Sequence, residues 1–180
     1  MNVNRPGTDE YASYYERYIA LVPGNGWDTL VAQTKTFPAY LRNIPDHLAD
    51  YKYAEGKWTV KQVAGHIIDT ERIMAYRALR IARNDATELP GFDENSYAEN
   101  ARMDKRTLDD LAGEFEIVRK ASMLTFQYLE DDEWRRKGIA SGNPVSVRAL
   151  LYIITGHLQH HLAVYGERYF LGERSSRFLL

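Results

Sequence analysis

Cysteine is absent from this 180-residue chain. Disulfides, thiolate metal ligands and a cysteine nucleophile are excluded with it. Long apolar runs are missing too. None approaches the ~20 residues that span a bilayer, and Met1 to Glu10 lacks the apolar core of a signal peptide. The expectation is a cytoplasmic protein with no membrane partner. Net charge is also scarce, since 23 lysines and arginines face 25 acidic residues. Phosphate backbones require a basic excess or a clear basic patch. The short cluster Arg135-Arg136-Lys137 reads as a solvated turn, so no nucleic-acid partner is expected. Histidine is rare, with five residues in all.

What is present is the pattern of a helical domain. The length suits one domain with a real core. Met1 to Thr8 is polar, carries Pro6 and Gly7, and reads as a flexible arm before a single domain over 9–180. Asp9 to Leu21 holds Tyr11, Tyr14, Tyr15 and Tyr18 at near-helical spacing. It predicts a short helix that packs rings on a neighbouring helix or a second subunit.

Four longer helices follow. The first runs from Asp28, as N-cap, to about Asn43, with Pro38 predicting a kink or break. The second opens on a capping box, Thr59-Val60-Lys61-Gln62, with Trp58 and Val63 as its hydrophobic staple. It extends to about Arg83, with Val63, Ile67, Met74, Ala78 and Ile81 as its buried stripe. The third opens at Thr107 and runs to about Leu129, with Leu108, Leu111, Phe115, Val118, Leu124 and Phe126 as apolar contributors. The last begins near Val145, capped by Ser146 or Asn143, and reaches about Tyr169. Asn84 to Asp104 is a long crossover with a helical turn near Tyr97. No segment shows strand alternation, so the fold class is all-α, a four-helix bundle.

Three of the five histidines lie in Gly156-His157-Leu158-Gln159-His160-His161, inside the last helix. Residues four apart share a helix face, so His157 and His161 project together toward the side of Leu150, Ile153 and Ile154. Two imidazoles one turn apart form half of a metal site. His66, near the buried stripe of the second helix, is the candidate third ligand, while His47 lies in a loop that reads as solvated. His160 is a neighbour or a spare ligand. Ala64-Gly65-His66 echoes Thr155-Gly156-His157, and the glycines would let helices approach where the histidines meet. Three neutral imidazoles suit zinc, nickel, copper or ferrous iron better than magnesium or calcium. Three protein ligands leave an open position, the catalytic pattern. Asp69, one turn after His66, is a candidate to hold a ligand ring or to act as a base, and it is equally placed to pair with Arg72. Glu71 is turned farther away and reads as surface.

Several segments together resemble the DinB/YfiT-like family of four-helix metalloproteins. They are Lys57-Trp58-Thr59-Val60-Lys61-Gln62-Val63 with Gly65-His66-Ile67-Ile68-Asp69-Thr70-Glu71-Arg72, then Ala75-Tyr76-Arg77-Ala78-Leu79-Arg80 and Leu89-Pro90-Gly91-Phe92-Asp93. Gly142-Asn143-Pro144-Val145-Ser146-Val147-Arg148, Gly156-His157 and His160-His161 complete the set. The resemblance implies an up-down-down-up bundle, often a homodimer, with a divalent metal on His66, His157 and His161. Zinc or nickel leads, with iron, manganese and copper as alternatives. It further implies thiol-dependent S-transferase or hydrolase chemistry on a small-molecule substrate, with metal-bound thiolate or water as the attacking group and a low-molecular-weight thiol as a candidate cofactor. Two other readings stand beside it. One is a non-catalytic metal-binding stress or interaction protein. The other is a plain bundle whose histidines only pack.

Overall fold

A computed structural model describes residues 1–170. The helices are α1 (Glu16–Ile19), α2 (Gly26–Asn43), α3 (Val60–Ala82), α4 (Glu94–Asn100), α5 (Leu108–Phe126), α6 (Asp131–Arg135) and α7 (Val147–Val164). Strands β1 (Lys137–Ala140) and β2 (Asn143–Ser146) form an antiparallel hairpin. The π-helical turn Tyr165–Tyr169 extends α7. The long helices α2, α3, α5 and α7 build the expected all-α four-helix bundle, with α2 against α5 and α3 against both α5 and α7. Among the described residues, no helix is long and apolar enough to cross a membrane.

Local chemistry explains most boundaries. The Thr59 hydroxyl accepts from the Gln62 amide at 3.1 Å, and Gln62 Oε1 accepts from the Thr59 amide at 2.9 Å, the reciprocal box expected. Gln62 Nε2 also donates to the Ala98 carbonyl, so the start of α3 holds α4 in place. Thr107 caps α5 and Ser146 caps α7. The first long helix starts earlier than Asp28. Asn25 is its cap, accepting from the Trp27 amide, and Asp28 instead accepts from the Asn25 amide nitrogen. Pro38 does not break α2, which continues to Asn43. An interior proline costs about 3 kcal/mol. Here fully buried Phe37 and Leu41 on either side supply the packing that offsets it.

The hairpin corrects the expectation of no strands. Ser141 and Gly142 both have positive φ, 52° and 73°, which is the two-residue turn that matches strand twist. Strands of four residues are too short to show alternation. The crossover before α4 docks on this hairpin, with the Leu89 amide donating to the Ile139 carbonyl and the Ser141 amide donating to the Leu89 carbonyl. Residues 1–8, read as a flexible arm, lie along the bundle. Val3 is buried, the Tyr152 hydroxyl donates to its carbonyl at 2.9 Å, and Arg5 donates to the carbonyls of Ile19 and Val22. Leu124 is exposed rather than buried.

The core is divided in two. One apolar cluster includes Leu30, Met74, Phe126 and Leu150; the other includes Phe37, Ile67, Phe115 and Leu158. A polar layer lies between these levels. Arg119 on α5 is 0% exposed and donates from Nε and Nη2 to the two carboxylate oxygens of Glu71 on α3, each at 2.8 Å. Its Nη1 donates to the Leu30 carbonyl and to Gln33 Oε1 on α2, each at 2.9 Å. Gln33 Nε2 in turn donates to the Thr155 carbonyl on α7 at 2.9 Å. Glu71 is thus not a surface residue: it is 2% exposed, because it faces α5 and finds a guanidinium there.

Two tests follow from these ion pairs. Removing one partner of a buried, bidentate pair leaves an uncompensated charge. Glu71→Ala is expected to cost about 3–5 kcal/mol in urea unfolding. The double change Glu71→Leu/Arg119→Met should recover much of that loss; equal losses in both would contradict the account. At the N-terminal end, Arg148 Nε donates to Glu10 Oε2 at 2.7 Å, and its Nη2 binds the other carboxylate oxygen. Burial alone would raise the Glu10 carboxyl, but bonds from Arg148, Gly7 and Ser146 outweigh it and hold it below its ordinary value of 4.5. A depressed carboxyl stabilises fully above its unfolded value, and the stabilisation is lost as pH falls through the lower folded value. The stability gap between the wild type and Glu10→Gln should therefore be present at about pH 7 and close by about pH 2. A gap that persists undiminished in acid would rule this out.

Candidate metal centre

His66 projects from α3, and His157 and His161 project from α7. The pairing of these two helices brings all three rings together. His66 Nε2 lies 2.9 Å from His157 Nε2, and His161 Nε2 lies 3.1 Å from the same atom. One ligand atom from each ring lies within 4.8 Å of the others. Imidazole nitrogens bind a zinc-like ion at about 2.0–2.1 Å, so two nitrogens on one ion stand about 3 Å apart when their bonds are near perpendicular. The two spacings from His157, 2.9 and 3.1 Å, fit that requirement. Converging lone pairs also need something positive between them. A tautomeric proton satisfies one pair at a time, whereas one cation satisfies all three.

Electrostatics favours the same end. Burial, with a smaller contribution from His160, lowers His66 to about 4. Burial lowers His161 to about 3, aided by His66 and His160. Burial and the neighbouring imidazoles push His157 well below its ordinary value. All three rings are neutral at neutral pH, the form in which imidazole binds metal.

Aromatic rings wedge the cluster. Tyr18 meets His157 edge-on, with centroids 5.3 Å apart, and Trp58 lies 4.8 Å from His66. Gly156 makes the first contact available, because a Cβ there would overlap the Tyr18 carbonyl. The glycine thus admits α1 against α7, rather than α3 against α7 as the sequence suggested. Gly65 in the same way makes room for Met103. The tyrosine-rich segment lies at the site, with Tyr15 and Tyr18 turned inward and Tyr14 half exposed.

The other sequence candidates fall outside the cluster. Asp69 pairs with Arg72 at 3.5 Å and, among the described residues, makes no hydrogen bond to an imidazole. Burial raises its carboxyl above the ordinary value, against the pull of Arg72. Nδ1 of His161 is buried and has no hydrogen-bond partner among the described residues. His160 is half buried, with its ring against Tyr18 and His161. His47 is exposed.

A cavity lies on each side of the cluster. One, of about 220 Å³, is walled by His157, Tyr15, Tyr18, Thr70, Met74, Arg77 and Phe92, among others. The other, of about 300 Å³, is walled by His160, His161, Trp58, Lys57, Asn95 and Tyr169, among others. Thr70 and Arg77 were missed as site residues. Their signal was present, since both fall on the buried stripe of α3 between Ile67 and Ile81.

No curated protein matches the sequence. Among solved structures, the chain is similar to YfiT from Bacillus subtilis, which is described as a probable metal-dependent hydrolase with an unusual four-helix bundle topology. The TM-score is 0.67 at 18% identity, over 97% of this chain and 93% of that one. At that identity the likeness establishes the fold. A family model, that of the DinB superfamily, matches residues 29–164, from within α2 to the end of α7. That span takes in all four bundle helices and all three clustered histidines, and the chain belongs to the DinB superfamily.

Proposed function

We propose that this protein is a metal-dependent enzyme acting on a small molecule, with His66, His157 and His161 as the protein ligands. The observation that carries the reading is the convergence of three neutral imidazoles, His66 and His157 buried and His161 half-buried, between two cavities. A divalent ion held there would supply Lewis acidity, making a coordinated water or thiol more acidic and stabilising a bound anion.

The chain's own residues do the rest. The histidines provide three neutral donors and no carboxylate, so the charge of an ion is left undiminished. Tyr18 and Trp58 fix ring orientation by packing. Their apolar faces limit water around the cluster, which strengthens the electrostatics within it. The cavities, about 220 and 300 Å³, lie at the small end of ligand sites and border different histidines, His157 on one side and His161 on the other. Room for two reactants supports transfer of a low-molecular-weight thiol, a co-substrate the cysteine-free chain cannot replace with a thiol of its own. Hydrolysis requires only one of the two cavities for substrate.

Metal analysis of the purified protein tests the reading. One equivalent of zinc, nickel or another divalent ion is expected in the wild type, and His66→Ala, His157→Ala and His161→Ala should each lose it. A ligand at 100 times its Kd stabilises the folded state by about 2.7 kcal/mol, so added metal should raise the wild-type Tm and leave the three variants unmoved. Full metal content in His157→Ala would overturn the ligand assignment. A loaded protein inert toward thiol acceptors and hydrolysable esters and amides would favour the non-catalytic metal-binding alternative.

A further inference from the structure

The cavity beside His157 contains a charge that the cluster does not use. Arg77 on α3 is 3% exposed. Its Nη2 donates to the Pro90 carbonyl at 2.7 Å and to Ser141 Oγ at 3.0 Å, and its Nη1 lies 3.6 Å from Met74 Sδ. Tyr15, on the wall of the same cavity, also meets Arg77 through a side-chain hydrogen bond, and none of these partners is a carboxylate. The contrast with Arg119 is direct. That guanidinium, equally buried, is met by both oxygens of Glu71, whereas among the described residues Arg77 is ion-paired to no carboxylate. A buried cation without a counter-charge is costly, and proteins rarely leave one so placed. Glu94 stands on the wall of the same cavity but is exposed at its rim.

A second, independent observation points into the same space. Thr70 is 4% exposed, its hydroxyl has no hydrogen-bond partner among the described residues, and it lines this cavity one turn of α3 from His66 and two turns from Arg77. An unpaired buried hydroxyl costs about as much as a lost hydrogen bond unless something arrives to pair with it. The remaining wall is largely apolar or aromatic, with Tyr14, Tyr15, Phe92, Met74 and Ile153.

We propose that this cavity is the substrate pocket and that it selects a small aryl or alkyl carboxylate. The carboxylate takes the place of the missing counter-ion at Arg77 and accepts from the Thr70 hydroxyl. The apolar body lies among the tyrosines and Phe92. Its far end then faces His157, which puts the reacting bond on the histidine side of the pocket. The assignment rests on the metal-enzyme reading for its chemistry, but not for its binding, and it makes Arg77 a specificity residue.

The test is a calorimetric titration of the full chain after chelator treatment, so that no ion at the histidines captures the anion. The probes are benzoate, its neutral isostere benzamide, acetate and inorganic phosphate. The wild type is expected to bind benzoate saturably, at least tenfold tighter than benzamide and tighter than phosphate. Arg77→Gln should lose at least tenfold for benzoate with little change for benzamide. Thr70→Val should weaken benzoate severalfold without lowering Tm, since it removes only an unpaired hydroxyl. That variant keeps the test open should Arg77→Gln fail to fold. Equal binding of benzoate and benzamide, absence of saturable binding by any carboxylate, or full benzoate affinity in Thr70→Val and in a folded Arg77→Gln would each overturn the proposal. Tighter binding of phosphate would replace carboxylate with a phosphoryl group as the selected anion and overturn the class named here. Metal content of the same variants separates the two readings. Anion selectivity without metal removes the metal-enzyme reading and leaves the pocket; metal without anion selectivity does the reverse.

Discussion

The four long helices of this bundle meet around a guanidinium shut away from bulk solvent, that of Arg119. Arg119 must find its hydrogen bonds inside the core, and it finds them on two other helices, at Glu71 on α3 and at Leu30 and Gln33 on α2. Gln33 passes the connection to α7 through the Thr155 carbonyl. Apolar packing alone tolerates sliding, because one leucine substitutes for another. A buried charge does not, since a shift of one turn would strand it. The polar layer therefore sets the level at which the four helices meet.

The histidine cluster inherits that level. Thr155 precedes His157 by two residues, and Glu71 follows His66 by five. The network that registers α3 against α7 thus also aligns the two halves of the cluster. Burial keeps the imidazoles neutral, and aromatic rings rather than carboxylates hold them in place. The same helix, α3, contributes Thr70 and Arg77 to the adjoining cavity. Two buried arginines thus have opposite characters: one is fully answered by the protein, and the other faces a space.

Much of this was legible in the residues. The reciprocal box of Thr59 and Gln62, the caps at Thr107 and Ser146, and the stripe from Val63 to Ile81 depend on neighbours within one or two turns. The structure reproduces them. The pairing of His157 with His161 is likewise a matter of helical pitch. The polar layer had a trace that went unread. Gln33 lies between Leu30 and Phe37, Glu71 between Ile67 and Met74, and Arg119 between Phe115 and Phe126, each at core spacing. A charged residue on an apolar stripe signals a buried partner, but the pattern does not say on which helix that partner lies. Other misreadings share a cause. Asp28 yielded to Asn25 because the two are equally good caps and Asn25 bonds the Trp27 amide, whereas Pro38 was absorbed because packing around Phe37 and Leu41 outweighs its local cost. The hairpin escaped because its four-residue strands are stabilised by the docked Leu89, a partner some fifty residues away.

The sequence by itself determined the long helices, most of their caps, the absence of a cysteine thiol and the pairing of His157 with His161, because periodicity, capping and composition act at short range. Only the tertiary structure decided what those residues meet. It set His66 against His157, turned Tyr18 and Trp58 onto the rings, buried Glu71 against Arg119 and left Arg77 without an acid. These outcomes arise where helices distant in the chain share one low-dielectric interior. There a charge, a hydroxyl or an imidazole takes its character from whatever the neighbouring helix presents.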